Sequence, residues 1–503
     1  MNVFQLRKPK LFAYNELLPN QKVPKLTETI DQYIASCIPT KTTSELDTLR
    51  TKSINFLKTI GPTLQLNLEH NSWTEDNYVS EWWTKNSYLM FRDSLLKLNF
   101  FGGGLLKPPS TIMTSRAAML IDGYLDICQK ISSGKLEAPL LQRMVPLCTE
   151  QYKRFHSTSR IPGESVDYLK TWSASEHIAV NYRHRWYIID INQNDCVLGT
   201  GEKKHRVNAK EWELIFEKIV QNTNHDQPSK FELLLTKVTG GKRNEWSSIR
   251  SAISHGSTVN SKALELIESA VLHITLEDEI DISVDDCETD IDPTKLSMAL
   301  CTGNGKRWFD KSVSLIAFKN GAFGAGYDHS WGDGAVTMNV YEKVLNYEQK
   351  IGYDHDGRIL GEARLNLDPT RLLWEEDKDI VASMEIPSNY YDSIVNDIDM
   401  SVFNVPFGKE VLKKLKVSPD AFIQSCLQLA HYRYTNKFVL TYEAAVTLLF
   451  KSGRYYSPCI IHLVAYLITD RSFRYKMVFG TCKLSHTVRQ SLKSQELENS
   501  FII

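Results

Sequence analysis

The chain has 503 residues, enough for two or more domains. Its 42% hydrophobic and 24% charged residues are ordinary globular composition, and a net charge of −1 gives no global pull toward nucleic acid. Nine cysteines, an odd number with no CxxC pair, fit a reducing compartment rather than a disulfide framework, and with no zinc pattern no metal site is expected. Arg7, Lys8 and Lys10 precede the first acid, Glu16, without the apolar core of a secretory signal, and match a mitochondrial presequence only weakly. No stretch approaches the ~18–20 apolar residues of a membrane span; the run at 458–468 is short and broken by His462.

In chain order, residues 25–100 read as mostly helical, with amphipathic stretches at 27–38 and 44–60. Residues 177–182, a basic turn, and 186–191 read as a strand hairpin. The run Lys203, Lys204, His205, Arg206 is expected as a solvated loop, and so are the crowded acids of 277–292. Residues 313–319 are β-branched and aromatic, Asn320-Gly321 signals a tight turn, and a Gly-rich strand at 322–327 then delivers His329. A helix is expected over 335–344. A lone histidine is more often structural, but one exposed where a strand ends is well placed for proton transfer. Further on, Lys409, Lys413, Lys414 and Lys416 stand just ahead of a helix that Ser418, Pro419 and Asp420 would open as N-cap, first residue and dipole partner. Phe422, Ile423, Cys426, Leu427 and Ala430 continue it at helical spacing. Taken alone, the lysines read as a solvated basic loop, and Tyr442, after a short apolar strand, as core. The mixture of strands and helices points to α/β layers around a sheet.

The phrase His329-Ser-Trp-Gly-Asp333-Gly334 resembles the His-x-x-x-Asp-Gly signature of CoA-dependent acyltransferases, in the version carried by carnitine acyltransferases. Other phrases agree: Leu17-Leu-Pro19, Val23-Pro-Lys-Leu26 and Asp31-Gln-Tyr33; Asn77-Tyr-Val-Ser-Glu-Trp-Trp83 with Tyr88-Leu89; Val145-Pro-Leu-Cys148; Thr158-Ser-Arg-Ile-Pro-Gly163; Arg307-Trp-Phe-Asp-Lys-Ser312; Pro369-Thr-Arg-Leu372 with Trp374. Over roughly residues 10–454 the chain is identified as a member of the carnitine/choline acyltransferase family, most similar to its outer-membrane palmitoyltransferase branch and truncated at both ends relative to it.

The resemblance implies an α/β fold of the CoA-dependent (chloramphenicol-acetyltransferase-like) type, mixed sheets flanked by helices, with an incomplete second domain. The implied division is a helical segment at 1–100, an acyltransferase domain with the histidine at 101–385, the start of a second domain at 386–454, and a divergent tail at 455–503. The implied activity is reversible transfer of a long-chain acyl group between CoA and the carnitine hydroxyl. His329 would be general base and Asp333 would order its loop, for which a plain helix N-cap is the alternative. Gly408, Lys409, Lys413, Lys414, Lys416, Ser418 and Asp420 would bind CoA and its phosphates. Tyr442 would meet the carnitine carboxylate; Trp83 and Tyr88 would line the site or belong to the core. CoA would be a co-substrate rather than a resident cofactor, and carnitine and acyl-CoA the partners, with no nucleic acid. Placement would be mitochondrial, on the cytosolic side, with at most peripheral membrane association, or cytoplasmic.

Two departures stand against this. After Arg454 the family's Thr-Glu is replaced by Tyr455-Tyr456, and its later Ser-Thr-Ser motif is absent. The alternative is therefore an impaired paralogue that binds CoA or pairs with a full-length relative; choline as acceptor is a further alternative, disfavoured by Tyr442.

Overall fold

The computed structural model describes residues 9–104, 107–142, 144–194, 204–223, 227–284, 287–403, 405–439 and 445–456. The chain divides into two units. One takes in the described residues of Met1–Glu16 and Glu81–Val402, the other those of Leu17–Ser80 and Phe403–Asn499.

The second unit opens with three helices, α1 (Leu26–Cys37), α2 (Thr43–Lys58) and α3 (Gly61–Thr74). The first two lie within a residue or two of the amphipathic stretches. Thr42 starts α2 through a capping box: its hydroxyl accepts from Glu45 N–H while the Glu45 carboxylate accepts from Thr42 N–H.

The first unit is built on a seven-stranded mixed sheet. Its strands are β1 (Phe100–Gly103), β2 (His177–Tyr182), β3 (Arg185–Asp190), β4 (His273–Glu277), β5 (Val313–Phe318), β6 (Phe323–Tyr327) and β7 (Thr370–Arg371), in the order β1-β6-β5-β4-β2-β3-β7. The two hairpins read from the sequence are both present, β2–β3 and β5–β6. The central strand β4 joins them by running parallel to both β2 and β5.

Strand residues alternate between two buried cores. Ile178, Val180, Leu315 and Ala325 face one core with α4 (Met113–Ser132), α5 (Ala209–Thr223) and α10 (Gly334–Ile351). Ala179, Trp186 and Ile188 face another with α6 (Lys230–Thr239), α7 (Arg243–Gly256) and α8 (Thr258–Ser269). On that second side of the sheet, Ile316 and Phe318 meet Leu296 and Leu300 of α9 (Pro293–Thr302), and Met384 of α11 (Lys378–Asp397) joins the core beneath α6 and α7.

Parts of two expected surface loops are structural. Lys204–Arg206 pairs with Asn192–Asn194, and Arg206 reaches Asp122 of α4 at 2.6 Å. Within the acidic run, Glu277 ends β4 buried against Lys306 at 2.8 Å, and Asp292 caps α9. Arg206 and Glu277 are each held by a partner distant in sequence, which periodicity alone does not reveal, whereas Asp292 is held by its own helix. Lys203, Asp285 and Asp286 lie outside the described residues.

In the second unit α12 (Lys409–Lys414) and α13 (Pro419–Thr435) follow. Lys451 N–H donates to Pro19 O at 3.0 Å and the Asn77 amide donates to Lys451 O at 3.1 Å, tying the unit's two chain segments together. Residues Tyr455–Tyr456, the first of the expected tail, pair with Ala445–Val446; the rest of that tail lies outside the described residues. Among the described residues no helix is long and apolar enough to cross a membrane.

Candidate active site

The β5–β6 hairpin presents the histidine. Its turn needs Gly321, which sits at φ +78°, and a Cβ there would come within 2.0 Å of Ser110 O. Along β6, Phe323, Ala325 and Tyr327 face the first core, while Gly324 and Gly326 face α9 and Arg307. A Cβ on Gly324 would lie 2.3 Å from Leu300, and one on Gly326 2.1 Å from the Arg307 guanidinium carbon. Those glycines let the sheet approach its second layer closely. Burial holds Arg307 down, to about 10.

After Tyr327 the chain leaves the sheet and makes a loop anchored from beneath. Asp328 is buried, accepts from the Ser330 hydroxyl, and stands 3.7 Å from Arg160. Trp331 is buried edge-on to Phe155 and donates its indole N–H to Ser312 O at 2.8 Å. His329 lies between these anchors with 26% of its side chain accessible. Its backbone N–H donates to the Asn99 side-chain carbonyl at 3.4 Å, and Asn99 is fixed by its own bond to Phe309 O at 2.8 Å.

Three side chains frame the imidazole. Phe100, stacked on Tyr327, meets it edge-on with centroids 4.8 Å apart. Tyr88 lies with its ring centroid at 4.8 Å and its hydroxyl 3.5 Å from Nε2. Asp333 places Oδ1 3.5 Å from the same nitrogen. Tyr88 comes from a turn of π-helix, Thr84–Leu89, a form that recurs at functional sites. Its carbonyl accepts from Arg160 at 2.7 Å and its hydroxyl accepts from the Trp83 indole at 3.3 Å.

The sequence-expected pair, His329 and Asp333, is thus together. Asp333 occupies the N-cap position of α10, but its carboxylate makes no cap hydrogen bond. Gln151 holds it, donating to Oδ2 at 2.8 Å and accepting from the Asp333 N–H at 2.8 Å. Sequence reading passed over Gln151; no local pattern marks it.

Behind the loop lies a buried ion cluster. Arg160 and Arg243 converge on Asp167 at 2.7 and 2.8 Å, and Arg243 also meets Asp310 at 2.7 Å. Burial alone would raise Asp167, but Arg243 and Arg160, together with Arg92 at 2.7 Å, outweigh it and hold the carboxyl below its usual range. Burial prevails at Asp310 and lifts it to about 6 against the pull of Arg243. Arg160 joins this cluster to both Tyr88 and Asp328, so it braces the floor of the site.

The lysine segment falls in the other unit and is described by itself. Lys409, Lys413 and Lys414 form α12, not a loop ahead of a helix; Gly408 is its N-cap residue and Lys416 lies in the left-handed region at φ +59°. All four lysines are exposed. Ser418 caps α13 by accepting from Ala421 N–H at 3.4 Å, Pro419 is its first residue and Asp420 stands in its first turn. Tyr442 lies outside the described residues.

A histidine with a positioned carboxylate can relay a proton between two reacting groups. The family model described as choline/carnitine O-acyltransferase matches residues 21–456. The liver isoform of carnitine O-palmitoyltransferase 1 from Homo sapiens is 33% identical over 464 residues, covering 90% of this chain and 58% of that protein. The human muscle isoform is 33% identical over 454 residues, covering 89% and 57%. Carnitine O-acetyltransferase from Rattus norvegicus is 28% identical over 464 residues, covering 88% and 70%. The chain therefore spans less than two thirds of the length of the palmitoyltransferases it matches.

Proposed function

The chain belongs to the choline/carnitine O-acyltransferase family, and on that premise we propose that it moves a long-chain acyl group between CoA and the carnitine hydroxyl, with His329 as general base. A neutral imidazole offers a lone pair near neutral pH. It takes the proton of the carnitine hydroxyl as that oxygen attacks the thioester carbonyl. The tetrahedral intermediate collapses by breaking the carbon–sulfur bond, and the imidazolium returns its proton to the departing CoA sulfur. The reverse reaction starts by deprotonating the CoA thiol. Asp333, 3.5 Å from Nε2, faces the imidazolium while it exists. That juxtaposition, on a loop pinned by Arg160 and Trp331, is the observation that carries the reading.

Substrate assignments follow the family. Gly408, Lys409, Lys413, Lys414, Lys416, Ser418 and Asp420 hold the CoA phosphates, since clustered ammonium groups beside a capped helix suit anions. Tyr442 meets the carnitine carboxylate, and Trp83 and Tyr88 line the acceptor side of His329. CoA acts as co-substrate. The same premise carries the CoA-dependent acyltransferase fold, which the mixed sheet between helical layers supports, and mitochondrial placement on the cytosolic side. Long-chain preference is supported by the higher identity to the palmitoyltransferases than to the acetyltransferase.

Mass spectrometry of the esters tests this. With palmitoyl-CoA or acetyl-CoA as donor and carnitine or choline as acceptor, palmitoylcarnitine should be the fastest product and choline esters should be minor. A folded protein that binds CoA yet forms no carnitine ester would leave the impaired-paralogue reading in its place.

A further inference from the structure

We propose that Gln151 is a positioning residue of this site: its amide clamps Asp333 so that one carboxylate oxygen stays turned to His329. The inference rests on the reading of His329 as the base. Asp333 sits where an aspartate ordinarily caps a helix, accepting from the N–H groups of the first turn. It makes no such bond at the start of α10. Its carboxylate is diverted, and Gln151 is what diverts it.

The orientation of the Gln151 amide is fixed by chemistry. The Asp333 N–H can only donate, so the amide oxygen must face it, at 2.8 Å. The amide nitrogen is then left to face Oδ2, also at 2.8 Å. With Oδ2 held there, Oδ1 stands 3.5 Å from His329 Nε2. Both residues are buried, Gln151 at 6% and Asp333 at 3% exposed. Gly332 keeps the approach open, since a Cβ there would come within 3.2 Å of the Gln151 oxygen.

The clamp is itself held. Gln151 lies on a short 3-10 helix, Glu150–Arg154, whose Tyr152 hydroxyl donates to Asn339 of α10 at 2.9 Å. At its start Thr149 N–H donates to Asn15 at 3.0 Å and the Thr149 hydroxyl donates to Leu11 O at 2.7 Å. Among the described residues, the titratable and charged groups near the imidazole include Asp333 on its own loop and Tyr88 on the π turn, with the Asp328–Arg160 pair on the same loop's floor. Of these, Asp333 is the one whose direction Gln151 sets.

The test compares this 503-residue chain with its Gln151→Leu and Gln151→Glu variants, measuring kcat, KM for palmitoyl-CoA and carnitine, and the melting temperature. Gln151→Leu frees the carboxylate to cap α10. It should lower kcat by on the order of 10–100-fold, leave both KM values within about twofold, and lower the melting temperature only modestly, since the buried Asp333 N–H loses its acceptor. Gln151→Glu keeps the acceptor for the Asp333 N–H but sets a second carboxylate where a donor faced Oδ2, so it should lower kcat as well. Unchanged kcat beside an active wild type would overturn the proposal while leaving the base reading intact. So would a loss of kcat matched by a collapse of melting temperature in both variants. A wild type without carnitine-dependent transfer would overturn both.

Discussion

His329 and Asp333 are four residues apart, and both were legible because the residue types, the spacing and the preceding strand fit one chemistry. What the sequence hid was how Asp333 is used. Its N-cap position was foreseeable, but the Gln151 amide that draws its carboxylate away comes from 182 positions earlier in the chain. Tyr88 was visible as an aromatic in a family phrase; only the π turn of Thr84–Leu89 shows that it faces the imidazole. Asp333→Asn removes the charge opposite the imidazolium and keeps the shape. It should lower kcat by ~10²-fold with little change in either KM, as steady-state kinetics on both substrates would show. An unchanged kcat would reduce Asp333 to a helix-end residue.

The β5–β6 hairpin was the most readable element. Asn320-Gly321 marks a turn that must enter the left-handed region, and alternation in both strands sets which side chains meet the core. The glycines of β6 were seen as composition, but their cause, Leu300 and Arg307 pressing on the sheet, is tertiary. Gly326→Ala should therefore destabilise the protein by about 1–3 kcal/mol through overpacking. Gly102→Ala, in the adjacent β1 where a Cβ meets nothing within 4 Å, should change stability by less than about 0.5 kcal/mol. Urea denaturation of the two variants checks the contrast, and equal effects would refute the close-approach argument. Helix α13 shows the limit of periodicity: its spacing predicts a helix correctly, yet Ile423 and Leu427 are 56% and 60% exposed while Gln428 is buried. Of the acids of 277–292, Glu279, Asp281 and Asp290 are exposed as expected, whereas Glu277 is buried on Lys306.

At the scale of the molecule, buried ionisable groups make stability depend on pH. Burial, with a smaller push from nearby lysines, lowers His156 and His184 from the ordinary 6.5 to about 4. Between those values the unfolded chain binds more protons than the folded one. Their contribution is complete above 6.5 and is lost as pH falls toward 4. The urea midpoint should drop through that window, and the double variant His156→Gln/His184→Gln should flatten the drop; a parallel curve would contradict it. The layered α/β order was legible from alternating strand and helix patterns, whereas the pairing of residues 17–80 with those after 402 in one unit was not, because it depends on contacts such as Asn77 with Lys451. The most direct measurement of the whole account is carnitine-dependent release of CoA thiol from palmitoyl-CoA by the purified protein, alongside His329→Ala. The account predicts release that requires carnitine and disappears in the variant; release that persists in His329→Ala, or none from folded wild type, would contradict it.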